Sequence, residues 1–67
     1  MGTTYELRQQ VKTVKANRLE VVESWQEGGE RIARIWFEDM KEAHPDVYFE
    51  LVKVFHSEEC LAFTPFR

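Results

Sequence analysis

Cysteine is nearly absent from this chain. Cys60 is the only one among 67 residues, which rules out an internal disulfide and the four-cysteine or paired Cys/His zinc sites. Only two prolines and three glycines interrupt the sequence, and no linker, repeat or low-complexity segment is visible. No run approaches the roughly 20 apolar residues needed to span a bilayer. The opening Met-Gly-Thr-Thr-Tyr-Glu lacks the basic and apolar regions of a secretory signal. Glu6 stands where a myristoylation motif carries Ser or Thr. A lone thiol without an export signal predicts a cytoplasmic protein with no membrane association.

What the chain does have is aromatic weight and segregated charge. Nine of its residues are Phe, Tyr or Trp, a large share for a domain close to the lower size limit for independent folding. Without disulfides or a metal, a tightly packed aromatic core or self-association must supply the stability. The net charge of −3 hides an asymmetry. Arg8, Lys12, Lys15 and Arg18 face only Glu6 in residues 1–18, whereas residues 19–50 carry nine acidic and three basic side chains. That dipole fits a basic protein surface as partner better than it fits general nucleic-acid binding.

Hydrophobic periodicity divides the chain. Residues 3–14 alternate, with Tyr5, Leu7 and Val11 on one face and Glu6, Arg8, Gln10 and Lys12 on the other, which predicts a strand. Lys15-Ala16-Asn17-Arg18 reads as a hairpin connection because Asn tolerates turn geometry. A return strand over 19–26 follows, with Leu19, Val21, Glu23 and Trp25 alternating with Glu20, Val22 and Ser24. Gly28-Gly29 is the strongest break. Beyond it the apolar period lengthens to that of a helix, predicted over 30–44 and ended by Pro45. A competing reading makes Gly28-Gly29 a two-residue hairpin turn and residues 30–37 a strand. Strand 47–55 has Val47, Phe49, Leu51 and Phe55 facing the helix, and Tyr48, Glu50, Val52 and Val54 facing outward. His56-Ser57-Glu58-Glu59 reads as a turn, and Cys60 to Phe63 as a short last strand. The sum is one α+β domain over residues 1–67, of ββαββ order: a small, mostly antiparallel sheet with one helix on one face.

Side chains capable of nucleophilic or metal chemistry are few. His56 and Cys60 are four apart across the expected turn, which brings thiol and imidazole within reach only if the turn is tight, and no third group orients them. Cys60 reads as a small buried hydrophobe and His44 as a helix-terminal residue. Glu38, Asp39 and Glu42 share a helix side but lack the curling loop of a divalent-metal site. Glu27-Gly28-Gly29-Glu30 lacks the lysine and further glycines of a phosphate loop. The expectation is a protein without catalytic activity, cofactor or metal.

Two apolar excesses carry the functional expectation. The helix's apolar arc, from Ile35 through Ile32 and Trp36 to Phe37, is wider than one sheet can cover, and the outward face of strand 47–55 is greasier than solvent exposure calls for. These features predict a protein-binding module, an adaptor or inhibitor that occludes a basic surface of a larger partner and forms a homodimer. Trp36, Phe37, Tyr48, Val52 and Val54 are the candidate contacts, with Glu38, Asp39 and Glu42 as steering charges. The alternative is a nucleic-acid accessory protein reading through a basic hairpin of Arg8, Lys12, Lys15 and Arg18.

Overall fold

The computed structural model describes residues 2–12 and 15–64, apart from the side chain of Lys12. Five elements follow in chain order: β1 (Thr4–Lys12), β2 (Asn17–Trp25), α1 (Glu30–Ala43), β3 (Phe49–Phe55) and β4 (Ser57–Phe63). The strands form one sheet in the order β2-β1-β3-β4, with every neighbouring pair antiparallel. α1 covers one face, so the ββαββ expectation holds. The chain uses α1 to cross from the edge strand β2 over β1 to β3.

The helix forms where the glycines break the strand, and each glycine has a separate reason to be there. Gly28 has φ of 91°, a conformation unfavourable for any residue with a Cβ. Gly29 sits so close to β2 that a Cβ there would lie 2.7 Å from Trp25 Cβ and 3.0 Å from the Gln26 carbonyl oxygen. The reading of residues 30–37 as a strand is therefore set aside. At the other end the His44 N–H donates to the Met40 carbonyl (2.9 Å), and Pro45 follows where another turn would need its missing N–H.

Tyr5, Leu7, Phe49 and Leu51 from the two central strands meet Ala33 and Phe37 from α1 to make the core. Trp25, Met40, Val47, Leu61 and Ala62 surround it. β1 follows the expected alternation. β2 does not, because Val22 is an extra residue between the pairs Leu7↔Glu23 and Arg8↔Val21. The bulge leaves Glu23 and Trp25 on the helix-covered face and shifts Val21 and Leu19 to the open one. Leu61 plays the same part in β4, between the pairs Leu51↔Ala62 and Val52↔Cys60. Both edge strands are thus bulged, one on either side of the level of the Leu7↔Leu51 pair, a device that discourages edge-to-edge pairing.

Four local expectations need correction. Asn17 and Arg18, expected in the hairpin connection, are the first residues of β2 and pair with Lys12 and Val11. Residues 47 and 48 precede β3 rather than belonging to it: the Val47 N–H donates to His44 O (3.1 Å), closing a turn. The turn expected over 56–59 shrinks to His56, at φ 65°, so Glu58 and Glu59 are strand residues. Cys60, expected in the core, is exposed, because its register partner Val52 lies on the open face. Beyond β4, Thr64 fastens the chain to the start of β3. Its N–H donates to Phe49 O (2.9 Å) while its Oγ1 accepts from the Phe49 N–H (3.0 Å).

Candidate protein-binding surface

α1 is built to be two-sided. Ala33 and Phe37 enter the core and Met40 flanks them. The remaining apolar residues, Ile32, Ile35 and Trp36, stay exposed at 52%, 52% and 40%. Their spacing of three and then one places them on a single stripe of the helix. Trp36 is held in position by Trp25 of β2, whose ring meets it edge-on at 5.7 Å between centroids. An aromatic side chain fixed before contact loses little conformational freedom on binding, which suits it to anchor an interface.

Asp39 continues the stripe by one further turn, with Glu38 and Glu42 beside it. Glu38 is paired with Lys41 at 3.0 Å, and at the first turn Glu30 is paired with Arg34 at 2.9 Å. Arg31, Asp39 and Glu42 have no ion-pair partner among the described residues. Carboxylates in the last turns of a helix face the negative end of its dipole, at a cost of a few tenths of a kcal/mol, roughly 0.3–1, each. Only Glu42 lies in the final turn, where that effect is confined, and with Glu38 and Asp39 it leaves an acidic surface beside an apolar one.

The structure separates the sequence-derived candidates into groups. Trp36 and Asp39, three apart, share one stripe of α1, Glu42 lies beside Asp39, and Glu38 lies roughly 160° around the helix from Trp36. Tyr48 and Val54 are half-buried on the opposite side of the molecule, the open face of the sheet, where the Tyr48 hydroxyl donates to Glu50 Oε1 at 3.0 Å. Burial of the Tyr48 phenol, with Glu50 beside it, raises its pKa. Phe37 and Val52 are 3% and 2% exposed and have no surface to offer a partner. Phe37 is a core residue, and Val52 is closed over from the other side. Ile32 and Ile35 join the surface as further exposed contacts, signalled in the sequence only by the breadth of the apolar arc.

An ionic link crosses the open face at the level of Val52. Arg8 donates to Glu6 of its own strand (2.7 Å) and to both carboxylate oxygens of Glu58 (3.1 and 2.9 Å). Arg8 lies opposite Glu50, and Glu58 lies opposite Val54. The side chain that joins them therefore crosses β3 at the level of Val52, linking β1 to β4. The hydrogen bond from Arg8 holds the Glu58 carboxyl below its ordinary range, and that from Glu58, the largest influence, raises the guanidinium's pKa further above its usual value.

That pairing bears on the basic hairpin. Arg8 is committed to Glu6 and Glu58, and Arg18 is paired with Glu20 at 2.6 Å. Lys15 is exposed, and the Lys12 side chain lies outside the described residues. Two of the four cations thus have their charge answered within the fold, which leaves little to neutralise phosphates.

His56 and Cys60 stay apart. The four-residue separation along an extended strand is about 13 Å. The His56 ring stacks edge-on against Phe55 (4.3 Å), and the Cys60 thiol points to the Ala62 carbonyl (3.5 Å). Desolvation, with Glu50 nearby, raises the Cys60 pKa, opposite to what a nucleophilic thiolate needs. His44 serves as the helix C-cap with its ring 6.3 Å from Phe49. Among the described residues there is no cluster of three metal-ligating side chains and no helix long and apolar enough to cross a membrane.

No family model, curated protein or solved structure matches the chain. Its chemistry has to be read from its own surface. On that surface the outer side of α1 joins exposed apolar side chains, a braced aromatic ring and unanswered carboxylates.

Proposed function

We propose that this protein is a non-catalytic interaction module, an adaptor or inhibitor that covers a basic surface of a larger protein with the outer side of α1. The observation that carries this reading is the adjacency of Ile32, Ile35 and Trp36, all substantially exposed, to Asp39 and Glu42, which have no ion-pair partner among the described residues. The carboxylates speed and orient encounter with a positive partner. Trp36, braced by Trp25, then supplies the buried contact. Occlusion of the partner's basic site is steric and electrostatic and requires no chemistry from this chain. A lone exposed thiol fits a reducing compartment such as the cytoplasm.

A homodimer is a weaker use of the same surface. Two copies each carry a net charge of −3, which opposes their association.

The test is affinity capture from the native host with the intact protein, Trp36→Ala, and a Glu38→Gln/Asp39→Asn/Glu42→Gln triple variant. The expected result is a basic partner whose capture falls at least tenfold with Trp36→Ala. With the triple variant, binding weakens and loses most of its salt dependence. A partner retained equally by all three proteins at low salt would overturn the proposal.

A further inference from the structure

We infer that the partner presents an amphipathic, basic α-helix, and that it lies antiparallel along α1. This inference rests on the reading of α1's outer side as the binding surface and adds the shape, charge and direction of what binds there.

Shape comes from spacing. Residues 32, 35, 36 and 39 recur at intervals of three, one and three, the pattern of a seam that packs against another helix by fitting side chains between those of its neighbour. Ile32, Ile35 and Trp36 form a convex ridge about 6 Å long, lengthened to roughly 10 Å by Asp39 at 1.5 Å per residue. A partner strand would need the open hydrogen-bonding edge of a sheet, and α1's outer side offers none. A helix of about three turns covers the ridge and carries apolar residues at the complementary spacing.

Charge and direction come from the unequal halves of α1. Its first half holds Ile32, Ile35 and Trp36 and is net positive, with Arg34 answered by Glu30 and Arg31 without an ion-pair partner among the described residues. Its second half carries Glu38, Asp39 and Glu42 against Lys41 alone. Lysines or arginines on the partner helix must therefore lie beside that second half. An antiparallel helix also brings its N-terminus, the positive end of its dipole, to these carboxylates, whereas a parallel one brings its negative end. The antiparallel arrangement thus gathers both positive features of the partner at the acidic end, and its apolar residues meet Ile32, Ile35 and Trp36.

The experiment uses three synthetic helical peptides of equal composition. One has leucines at seam spacing with lysines in its N-terminal half, one has the same leucines with lysines in its C-terminal half, and one is scrambled. Tryptophan fluorescence reports binding, because the chain's tryptophans are Trp25 and Trp36, and calorimetry gives affinities. The N-terminal-lysine peptide should bind at least tenfold more tightly than either control, with a loss of at least tenfold on Trp36→Ala and of about fivefold on Asp39→Asn. Circular dichroism of the two variants must match the parent, and Ile32→Ser provides a second seam variant that spares the Trp25–Trp36 contact. Equal binding of all three peptides would show charge attraction alone and overturn the inference. Preference for C-terminal lysines would overturn the direction. If no peptide binds while a native partner is still lost on Trp36→Ala, the helix falls and the binding surface stands; if the native partner ignores Trp36→Ala, the surface itself falls. Sedimentation showing a parent dimer dissociated by Ile32→Ser would make the occupant a second copy and overturn the basic helix.

Discussion

Leu51 and Val52 are consecutive residues of β3, equally buried, on opposite faces of the sheet. Leu51 is hidden by a second layer: Phe37 and Ala33 of α1, with Leu7 beside it. Val52 lies on the face away from the helix, where the Arg8 side chain, hydrogen-bonded to carboxylates on β1 and β4, crosses β3 at its level. The covered face is held by apolar contact, insensitive to pH and little affected by salt. The open face is held by charge-assisted hydrogen bonds whose strength depends on both. The described residues contain one helix, which leaves the sheet's second face with local cover at Val52 and with Leu19 and Val21 exposed.

The largest loss of stability is expected at the covered face. Leu51→Ala should destabilise the protein by about 2–5 kcal/mol, because a fully buried side chain leaves a cavity that the helix and sheet cannot both fill. A denaturant midpoint near that of the parent would show that α1 is loosely seated. Gly29→Ala tests the seat directly and should cost about 1–3 kcal/mol, since its Cβ must displace the backbone-proximal Cβ of Trp25 rather than a flexible side-chain end. The same variant should alter tryptophan fluorescence, through the Trp25–Trp36 contact. Thr64→Val, close in volume, leaves the Phe49 N–H without its buried acceptor and should cost about 1–2 kcal/mol.

The open face is probed by pH. Glu58 is held below its ordinary value of 4.5 in the folded protein, chiefly by the hydrogen bond from Arg8. The unfolded chain therefore takes up that proton first on acidification. The stabilisation is complete above pH 4.5 and disappears as the pH falls through the lower folded value. Glu58→Gln should flatten the dependence of the urea midpoint between neutral and acid pH; a profile superimposable on the parent's would mean that Arg8 draws nothing from Glu58 in solution. The smallest effect is expected outside both faces. Glu42→Gln should raise stability by about 0.3–1 kcal/mol by removing a carboxylate from the helix C-terminus, while weakening the proposed partner complex. A gain in stability without loss of binding would remove Glu42 from the surface.

Much of the fold was legible because its causes are local. The helix begins after Gly28-Gly29 and stops before Pro45 since backbone geometry and a missing N–H act over a few residues. β1 and the Phe49–Leu51 part of β3 show the two-residue period of a half-covered sheet. The breadth of α1's apolar arc already implied a second contact surface, and the charge asymmetry implied an acidic one. Less was legible about which residues occupy that surface. Phe37 and Trp36 are neighbours of similar chemistry, and only the seating of α1 on β1 and β3 turns the first inward and leaves the second at the rim against Trp25.

Composition and periodicity by themselves determined the elements, their order and the acidic character of the helix, because propensity, capping and side-chain period are properties of short segments. Tertiary structure alone decided the rest. The bulge at Val22 moves Leu19 and Val21 to the open face, and the register of β4 exposes Cys60. Strand order brings Arg8 to a glutamate 50 residues away, neutralising one member of an otherwise basic hairpin. Each of these depends on which strand pairs with which and in what register, a choice set by burial across the whole sheet and invisible within any one segment.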